Sequence, residues 1–333
     1  MTSISLLSHL KDKDPSNVNI LVTGGCGFVG SYLVNWLLSK KFNVYVLDDL
    51  STTIHSHPAK QYFNTNTNET IYKPTTNYTI IKGSTLDIDT PTFNYFDRID
   101  LSIIFHFGEF SRINASWNEV DKVMSNNLLG TTKVLELCTS KNAKLVYSAS
   151  SAILGEDLPS TPYTFTKKCM VELIKCYHKW YNLDYIITYF YNVYGENQIS
   201  EGKYATVVGI FEKQYLENKP LTVVLPGTQK RIFTHIEDII SGITISIENF
   251  INKDVPIASH DSISILDLAH LFYSDNQTNK QSDNNPNIIY LPEQVGNRPQ
   301  SVQYLKDILR ELGWESKYSL VDYISCIKKD NSK

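Results

Sequence analysis

The stretch Val22-Thr23-Gly24-Gly25-Cys26-Gly27-Phe28-Val29-Gly30 decides the fold of this 333-residue chain. It follows the apolar run Asn19-Ile20-Leu21 and precedes the apolar Ser31-Tyr32-Leu33-Val34, an order typical of a strand, a tight turn and a helix. The glycines fit both G-x-G-x-x-G and G-x-x-G-x-x-G. Because a helix N-terminus offers unpaired N–H groups and a positive dipole end, the stretch predicts a turn that binds a pyrophosphate.

A second element follows at the spacing of a dinucleotide fingerprint. The apolar run 42–47 has the pattern of a buried strand and ends in Asp48 and Asp49, about 20 residues after the glycines. A carboxylate there accepts hydrogen bonds from ribose hydroxyls and repels a 2′-phosphate. We therefore expect NAD rather than NADP. The alternative, an ordinary βαβ turn with structural glycines, is disfavoured because strand, glycines, helix and acidic residues all occur in order.

Composition excludes several classes of function. The net charge of −4 gives no electrostatic footprint for nucleic acid or an anionic membrane. No apolar run approaches the roughly 18 residues of a membrane-spanning helix, and residues 1–18 form a polar extension unlike a secretory signal. The five scattered cysteines favour reduced thiols and a cytoplasmic location. His55 and His57 have no nearby Cys or acidic partner, so we expect no metal site.

The alternation of apolar runs and amphipathic stretches predicts an α/β fold: a Rossmann-type doubly wound parallel sheet with a smaller C-terminal α/β substrate lobe. Residues 19–191, with a return segment at about 234–256, form the expected dinucleotide-binding domain, and 192–333 the substrate lobe. Polar stretches at 50–77 and 274–287 are expected loops. The expected strands are 19–23, 43–48, 78–82, 101–106, 143–148 and 184–190, and the expected helices are 28–40, 118–140 and 163–182.

Three polar residues form a candidate catalytic set. Ser150 follows an apolar strand, and Tyr163 and Lys167 lie four apart on one face of the next helix. An ammonium group stabilises a nearby phenolate, so Tyr163 can act as general base toward an alcohol and as general acid on return. The Ser150 hydroxyl would bind the same substrate oxygen. A Tyr-x-x-x-Lys pattern is weak in a chain with 21 tyrosines, and the glycine turn upstream is what makes it informative.

With these motifs the chain resembles the extended short-chain dehydrogenases/reductases of the NAD-dependent sugar epimerase/dehydratase family, over residues 23–324. The resemblance implies NAD as cofactor and a nucleotide-diphosphate sugar, such as a UDP-sugar, between the lobes. It also implies a homodimer formed through the helices at 118–140 and 163–182. Further matching segments are Phe105–Gly108, Asn127–Thr131, Tyr191–Gly195, Lys230–Asp238 and Leu312–Trp314.

The resemblance also implies individual contacts. Asn192 and Arg231 would bind the diphosphate, and the small Ser301 would leave room for an N-acetyl group at C2 of the sugar. Ser111 and Arg298 are further candidates for substrate contact. The implied cofactor contacts are Gly24, Gly27, Phe28, Val29, Gly30, Asp48, Asp49, Ser84, Thr85, Phe107, Gly108, Asn127, Tyr163 and Lys167.

The triplet Ser150-Ser151-Ala152 discriminates between reactions. The resembling 4,6-dehydratases carry Thr-Asp-Glu here, and decarboxylating relatives keep a glutamate at the position of Ala152. Without these carboxylates an elimination lacks its base, whereas removal and return of a hydride at C4 needs only Tyr163, Ser150 and NAD. We therefore expect a C4 epimerase. The alternatives are a dehydratase or ketosugar reductase on the same fold, or a non-catalytic NAD-binding scaffold.

Three residues depart from the family pattern. Glu109 stands after His106 where many relatives of the resembling family carry a small residue, and Arg112 follows three residues later. We expect a structural ion pair between them rather than a catalytic role. His106 is expected as a structural histidine that contacts backbone at a strand end. Ser84 replaces an acidic residue in the adenine-binding segment, so adenine contacts are expected to be weaker or different.

Overall fold

The structure, a computed structural model, describes residues 5–7, 10, 13–52, 63–64, 77–89, 94–154, 161–273, 287–294 and 306–331. The strands are β1 Asn19–Thr23, β2 Asn43–Asp48, β3 Phe63–Asn64, β4 Tyr78–Lys82, β5 Leu101–His106, β6 Lys144–Ser150, β7 Tyr185–Phe190, β8 Val193–Tyr194, β9 Leu221–Val224, β10 Lys230–Ile232, β11 Thr234–His235, β12 Lys253–Ile257, β13 Ser262–Ser264 and β14 Ile288–Leu291. The helices are α1 Phe28–Ser39, α2 Ile113–Ser116, α3 Val120–Val123, α4 Thr131–Lys141, α5 Pro162–Tyr181, α6 Val207–Leu216, α7 Ile236–Asn249, α8 Ile265–Tyr273 and α9 Leu320–Asn331.

Eight of these strands form one parallel sheet in the order β12-β7-β6-β5-β1-β2-β4-β3. From β1 the chain first adds strands on one side through β2 and β4, and from β5 onward it adds them on the other side. A crevice forms at the carboxyl ends of the strands where the order reverses, here between β1 and β5. The predicted fold class, a Rossmann-type doubly wound sheet, is confirmed.

Alternation along β1 shows how the sheet is covered on both faces. Leu21 packs into one apolar cluster with side chains of α4 and α5, while Ile20 and Val22 pack into the opposite cluster with side chains of α1 and α7. Each of these three residues is at most 1% exposed. Near-continuous burial is expected of a strand that lies inside a parallel sheet. A third cluster, which includes Phe211 and Phe272, forms the core beneath α6 and α8.

Two expectations are modified. The helix expected at 118–140 is divided into α3, a π-helical segment at Met124–Gly130, and α4. The expected loop at 50–77 contains the short strand β3, which pairs with β4. The rest of that loop between 53 and 76, with His55 and His57, and nearly all of 274–287 lie outside the described residues. Within the described ranges, no helix has the length and apolar character needed to cross a bilayer.

The turn between β1 and α1 depends on close backbone contacts. A Cβ atom on Gly30 would lie 2.1 Å from the carbonyl oxygen of Gly24. Gly24 has a φ of +69°, and a Cβ there would lie 2.7 Å from the backbone nitrogen of Gly108 after β5. These contacts hold the first turn of α1 against the end of the sheet, so the glycine pattern has a steric cause.

The first prediction concerns these contacts. Gly30→Ala should lower the melting temperature, because the new methyl group forces the turn apart at a cost of about 1–3 kcal/mol. Gly27→Ala is the matched control, since its Cβ would lie 3.3 Å from the same Gly24 oxygen. We expect a clearly smaller decrease for Gly27→Ala in thermal unfolding followed by circular dichroism. Equal melting temperatures for the two variants would contradict this account of the turn.

Candidate active site

A cavity of about 880 Å³ opens at the crevice between β1 and β5, a volume in the range of ligand pockets. It extends from the glycine turn to residues of the C-terminal lobe. The structure brings most of the predicted site residues together around it. Those that line it are Gly24, Gly27, Phe28, Val29, Gly30, Asp48, Asp49, Ser84, Thr85, Phe107, Gly108, Ser111, Ser150, Tyr163, Lys167, Asn192 and Arg231.

The glycine turn fits a dinucleotide pyrophosphate. Helix α1 begins after Gly27, which has no side chain to cap the first N–H groups of the helix. These N–H groups therefore need another acceptor, and a phosphate oxygen suits the positive end of the helix dipole. Gly24 and Gly30 lie in backbone contact within the glycine turn. Because neither has a side chain, a ligand can approach the main chain of the turn directly.

Asp48 at the end of β2 fits a ribose. One carboxylate oxygen accepts the N–H of Cys26 and the other that of Leu50, each at 2.8 Å. Each oxygen keeps a lone pair for a ligand hydroxyl. Burial raises the pKa of Asp48 to about 6, and the two backbone N–H bonds oppose that rise. The residues present therefore fit NAD.

Ser84 has a local structural partner of its own. Its hydroxyl accepts the N–H of Leu86, and its N–H donates to the carboxylate of Asp87, which makes a capping box for the 3₁₀ turn Thr85–Asp87. Ser84 also lines the cavity. Ser84 thus fixes the start of the 3₁₀ turn in the segment expected to bind adenine. The altered adenine contacts stay a prediction.

Ser150, Tyr163 and Lys167 lie around one cavity, although they come from different elements. Ser150 ends β6, and its hydroxyl accepts the N–H of Ala152 at 3.1 Å. Tyr163 and Lys167 lie in the first two turns of α5. Thr161 fixes the start of this helix, because its hydroxyl accepts the N–H of Thr164 at 3.1 Å in a capping box.

The expected ion pair between Glu109 and Arg112 is wrong. Glu109 instead pairs with the ammonium of Lys167, and the two side chains are 1% and 4% exposed. Arg112 donates from Nε to the carbonyl of Tyr204 at 2.8 Å and from Nη1 to the carbonyl of Ser111 at 3.1 Å. The physical reason is the competition for Glu109: a buried ammonium needs a carboxylate, whereas the guanidinium finds carbonyls on the loop that faces it. Burial lowers the pKa of Arg112, which nonetheless keeps its charge at physiological pH.

His106 contacts side chains rather than backbone, contrary to expectation. Its Nδ1 lies 2.7 Å from the hydroxyl of Thr23, and its Nε2 lies 2.8 Å from that of Thr131. Complete burial lowers the pKa of His106 to about 4. The ring is therefore neutral at physiological pH and links β1 to α4.

Asn127, one of the predicted cofactor contacts, has its hydrogen-bond partners within the protein. It is fully buried and is not among the residues that line the cavity. Its amide oxygen accepts the N–H of Phe110 at 2.8 Å, and its amide nitrogen donates to the Phe110 carbonyl and to Thr166, each at 3.1 Å. Asn127 thus holds the segment after β5 in place from behind the cavity wall.

The structure describes some of the predicted substrate-binding residues but not all of them. Asn192 donates to the carbonyl of Ile232 at 2.7 Å and Arg231 to that of Lys230 at 2.9 Å, while both line the cavity. Arg298 and Ser301 lie outside the described residues.

Several functional contacts were missed in the sequence. Thr131 and Tyr147 both donate to Glu109; Thr131 lies in the matching segment Asn127–Thr131, but the sequence pattern gave neither residue as a partner of Glu109. Tyr204 reaches the cavity from the other lobe through long-range folding. In the described part of the chain, no three His, Cys, Asp or Glu side chains cluster as metal ligands would.

A second prediction concerns pH. We expect the affinity of the apo-protein for NAD to fall as the pH is lowered through about 6, because protonation of Asp48 removes an acceptor for ribose hydroxyls. The fall should approach about tenfold per pH unit below that value, as for a single ionisation. Titration calorimetry between pH 5 and 8 measures it, with Asp48→Asn as control. A wild-type affinity that does not change with pH, or an Asp48→Asn variant with the wild-type dependence, would contradict the role of Asp48.

Comparison with known proteins agrees with this geometry. The chain matches the NAD dependent epimerase/dehydratase family over residues 20–258. It is 29% identical to an uncharacterised UDP-glucose epimerase of Bacillus subtilis over 76% of this chain and 81% of that one. It is 28% identical to a dTDP-D-glucose 4,6-dehydratase of Dictyostelium discoideum over 75% of this chain and 60% of that one.

A solved structure has a similar fold. The UDP-glucose 4-epimerase of Thermotoga maritima with UDP-glucose superposes with a TM-score of 0.78 at 22% identity, over 94% of this chain and 98% of that one. The family match covers more than half of the sequence, and the glycine turn and Asp48 fit the cofactor that the family name gives. The chain belongs to the NAD-dependent epimerase/dehydratase family, and NAD is its cofactor.

Proposed function

We propose that the protein epimerises a nucleotide-diphosphate sugar at C4. The sugar nucleotide is a UDP-hexose or UDP-N-acetylhexosamine, bound between the glycine turn and the C-terminal lobe. The observation that carries the proposal is that Ser150, Tyr163 and Lys167 line one cavity, beside a turn that reads Ser151-Ala152. The curated relatives include both epimerase and dehydratase names at similar identity, and this local chemistry supports the epimerase.

The proposed roles of the residues follow from their donors and acceptors. Ser150 keeps a hydroxyl hydrogen for the C4 oxygen, since its own oxygen accepts from Ala152. Tyr163 removes the proton of the C4 hydroxyl and returns it when the carbonyl is reduced. Lys167 stabilises the phenolate and orients the cofactor. Bound NAD supplies the acceptor and donor of the C4 hydride. The ketosugar turns in the cavity between the two transfers, so that reduction occurs on the opposite face.

The carboxylates of the cavity support an epimerase over a dehydratase. Among the described residues that line it, the carboxylates are Asp48, Asp49 and Glu109. Asp48 ends β2 and Asp49 follows it, at the expected adenosine ribose, and Glu109 is paired with Lys167. An elimination across C5 and C6 needs a free acid and base near the sugar. The residues after β6 are a serine and an alanine, which cannot fill those roles.

The third prediction tests the reaction. Incubation with UDP-glucose, UDP-galactose and their N-acetyl forms should interconvert one pair of C4 epimers without net formation of NADH. Proton NMR of the sugar anomeric signals identifies the products. A 4-keto-6-deoxy product would establish a dehydratase, and net NADH turnover would establish a reductase. No conversion of any nucleotide sugar would contradict the proposal.

Tyr163→Phe is the matched variant, since it removes only the phenolic oxygen. We expect turnover to fall by about a thousandfold or more while NAD stays bound, because the proton transfer is lost and the aromatic ring remains. Cofactor released by denaturation measures NAD content. If Tyr163→Phe kept full biological activity, the protein would be a non-catalytic scaffold instead.

We also propose a homodimer in the cytoplasm. Leu129, on the π-helical segment, is 61% exposed, and Phe165 on α5 is 46% exposed. The segment and α5 pack against each other, so the two apolar side chains are available to a second copy of the chain. The five cysteines are free thiols, as the reducing cytoplasm maintains.

The fourth prediction follows. Leu129→Glu should convert the dimer to a monomer in light scattering coupled to gel filtration, because a buried charge opposes association. Leu216→Glu on α6 is the control, since Leu216 is 44% exposed but lies away from these helices. A wild-type monomer, or a dimer that survives Leu129→Glu, would contradict the proposed interface.

A further inference from the structure

Lys167 is held by a buried carboxylate that the proposed reaction does not use. Glu109 lies three residues after the end of β5. Its carboxylate receives three donors: Lys167 on Oε2, and Thr131 at 2.8 Å and Tyr147 at 3.1 Å on Oε1. All three partners donate, so both oxygens of the Glu109 carboxylate act as acceptors. The buried ammonium and the buried carboxylate therefore compensate each other.

The direction of the hydrogen bonds behind Glu109 can be assigned from the backbone. Thr23 Oγ1 accepts the N–H groups of Phe107 and Gly108, at 3.2 and 3.0 Å, so its single hydrogen goes to Nδ1 of His106. A neutral His106 then carries its hydrogen on Nε2 and donates to Thr131, which in turn donates to Glu109. This series of hydrogen bonds runs in one direction, from Thr23 at the end of β1 to Glu109. It fixes the orientation of the Glu109 carboxylate.

Lys167 has three N–H donors, and two have partners in the protein. One donates to Glu109 and one to the carbonyl of Ser148 near the end of β6. The ammonium also lies 4.8 Å from the ring centre of Tyr147. Because Lys167 lines the cavity, the third N–H remains for a hydroxyl of a bound ligand.

We propose that Glu109 is a positioning residue: it fixes the ammonium of Lys167 between β6 and the carboxylate, so that the remaining N–H meets the bound NAD. The inference rests on the proposed function for its effect on turnover, but not for its effect on cofactor affinity. Glu109 acts through Lys167 and touches neither sugar nor nicotinamide. Replacement of Glu109 should therefore lower NAD affinity and turnover only when Lys167 is present.

A double-mutant cycle tests this dependence. Glu109→Gln is made in the wild-type chain and in the Lys167→Met chain, and the NAD dissociation constant of each apo-protein is measured. We expect Glu109→Gln to weaken NAD binding by about tenfold with Lys167 and by less than about twofold with Lys167→Met. On the best nucleotide sugar, kcat should fall about tenfold while KM changes little. An equal loss of NAD affinity in both backgrounds, or none in either, overturns the proposal.

Two further variants keep the result interpretable. Glu136→Gln makes the same change in an exposed ion pair with Lys133 and should leave NAD affinity unchanged. If Glu109→Gln does not fold, Thr131→Val replaces it in the same cycle, because it removes one donor from the carboxylate without removing the charge. It should weaken NAD binding about threefold with Lys167 only. If the wild-type protein turned over no nucleotide sugar, the proposed function would be contradicted. The double-mutant cycle on NAD affinity would still test the role of Glu109.

Discussion

The structure depends on one steric constraint, the backbone contact between Gly24 and Gly30 at the end of β1. A side chain on Gly30 would overlap the Gly24 carbonyl, so this contact sets how closely α1 approaches the sheet. Gly24 in turn touches Gly108 after β5, which joins the two strands that flank the crevice. The positive end of α1, the Asp48 carboxylate and the residues after β5 are thereby brought to one cavity. The proposed proton-transfer residues join them from β6 and α5.

Much of this could be predicted from local sequence. The inner strands of the sheet read as apolar runs because helices bury both of their faces. The spacing of Gly24 and Gly30 is fixed because their contact lies within the turn. Asp48 was predictable for the same reason: its position relative to the turn is set by one helix and one strand. Local sequence predicts a contact where the two contacting residues belong to the same turn or to neighbouring elements of the chain.

The partners of Glu109 could not be predicted, because they come from three elements that are distant in the chain. Thr131 is on α4, Tyr147 on β6 and Lys167 on α5, and their side chains meet only after the sheet has formed. An expectation based on sequence proximity paired Glu109 with Arg112 instead. The buried partners of Asn127 were not predicted for a related reason, since the motif gives its position on a helix but not the face it presents. Burial decides which partner an ionisable group takes, and burial is a property of the whole fold.

In the proposed reaction a hydride leaves C4 and returns to C4 of the same sugar. The most direct measurement is NMR of the product formed from a nucleotide sugar labelled with deuterium at C4. We expect the C4 epimer with deuterium retained at C4 and no exchange with solvent. A product with deuterium at another carbon, or with solvent hydrogen at C4, would contradict it.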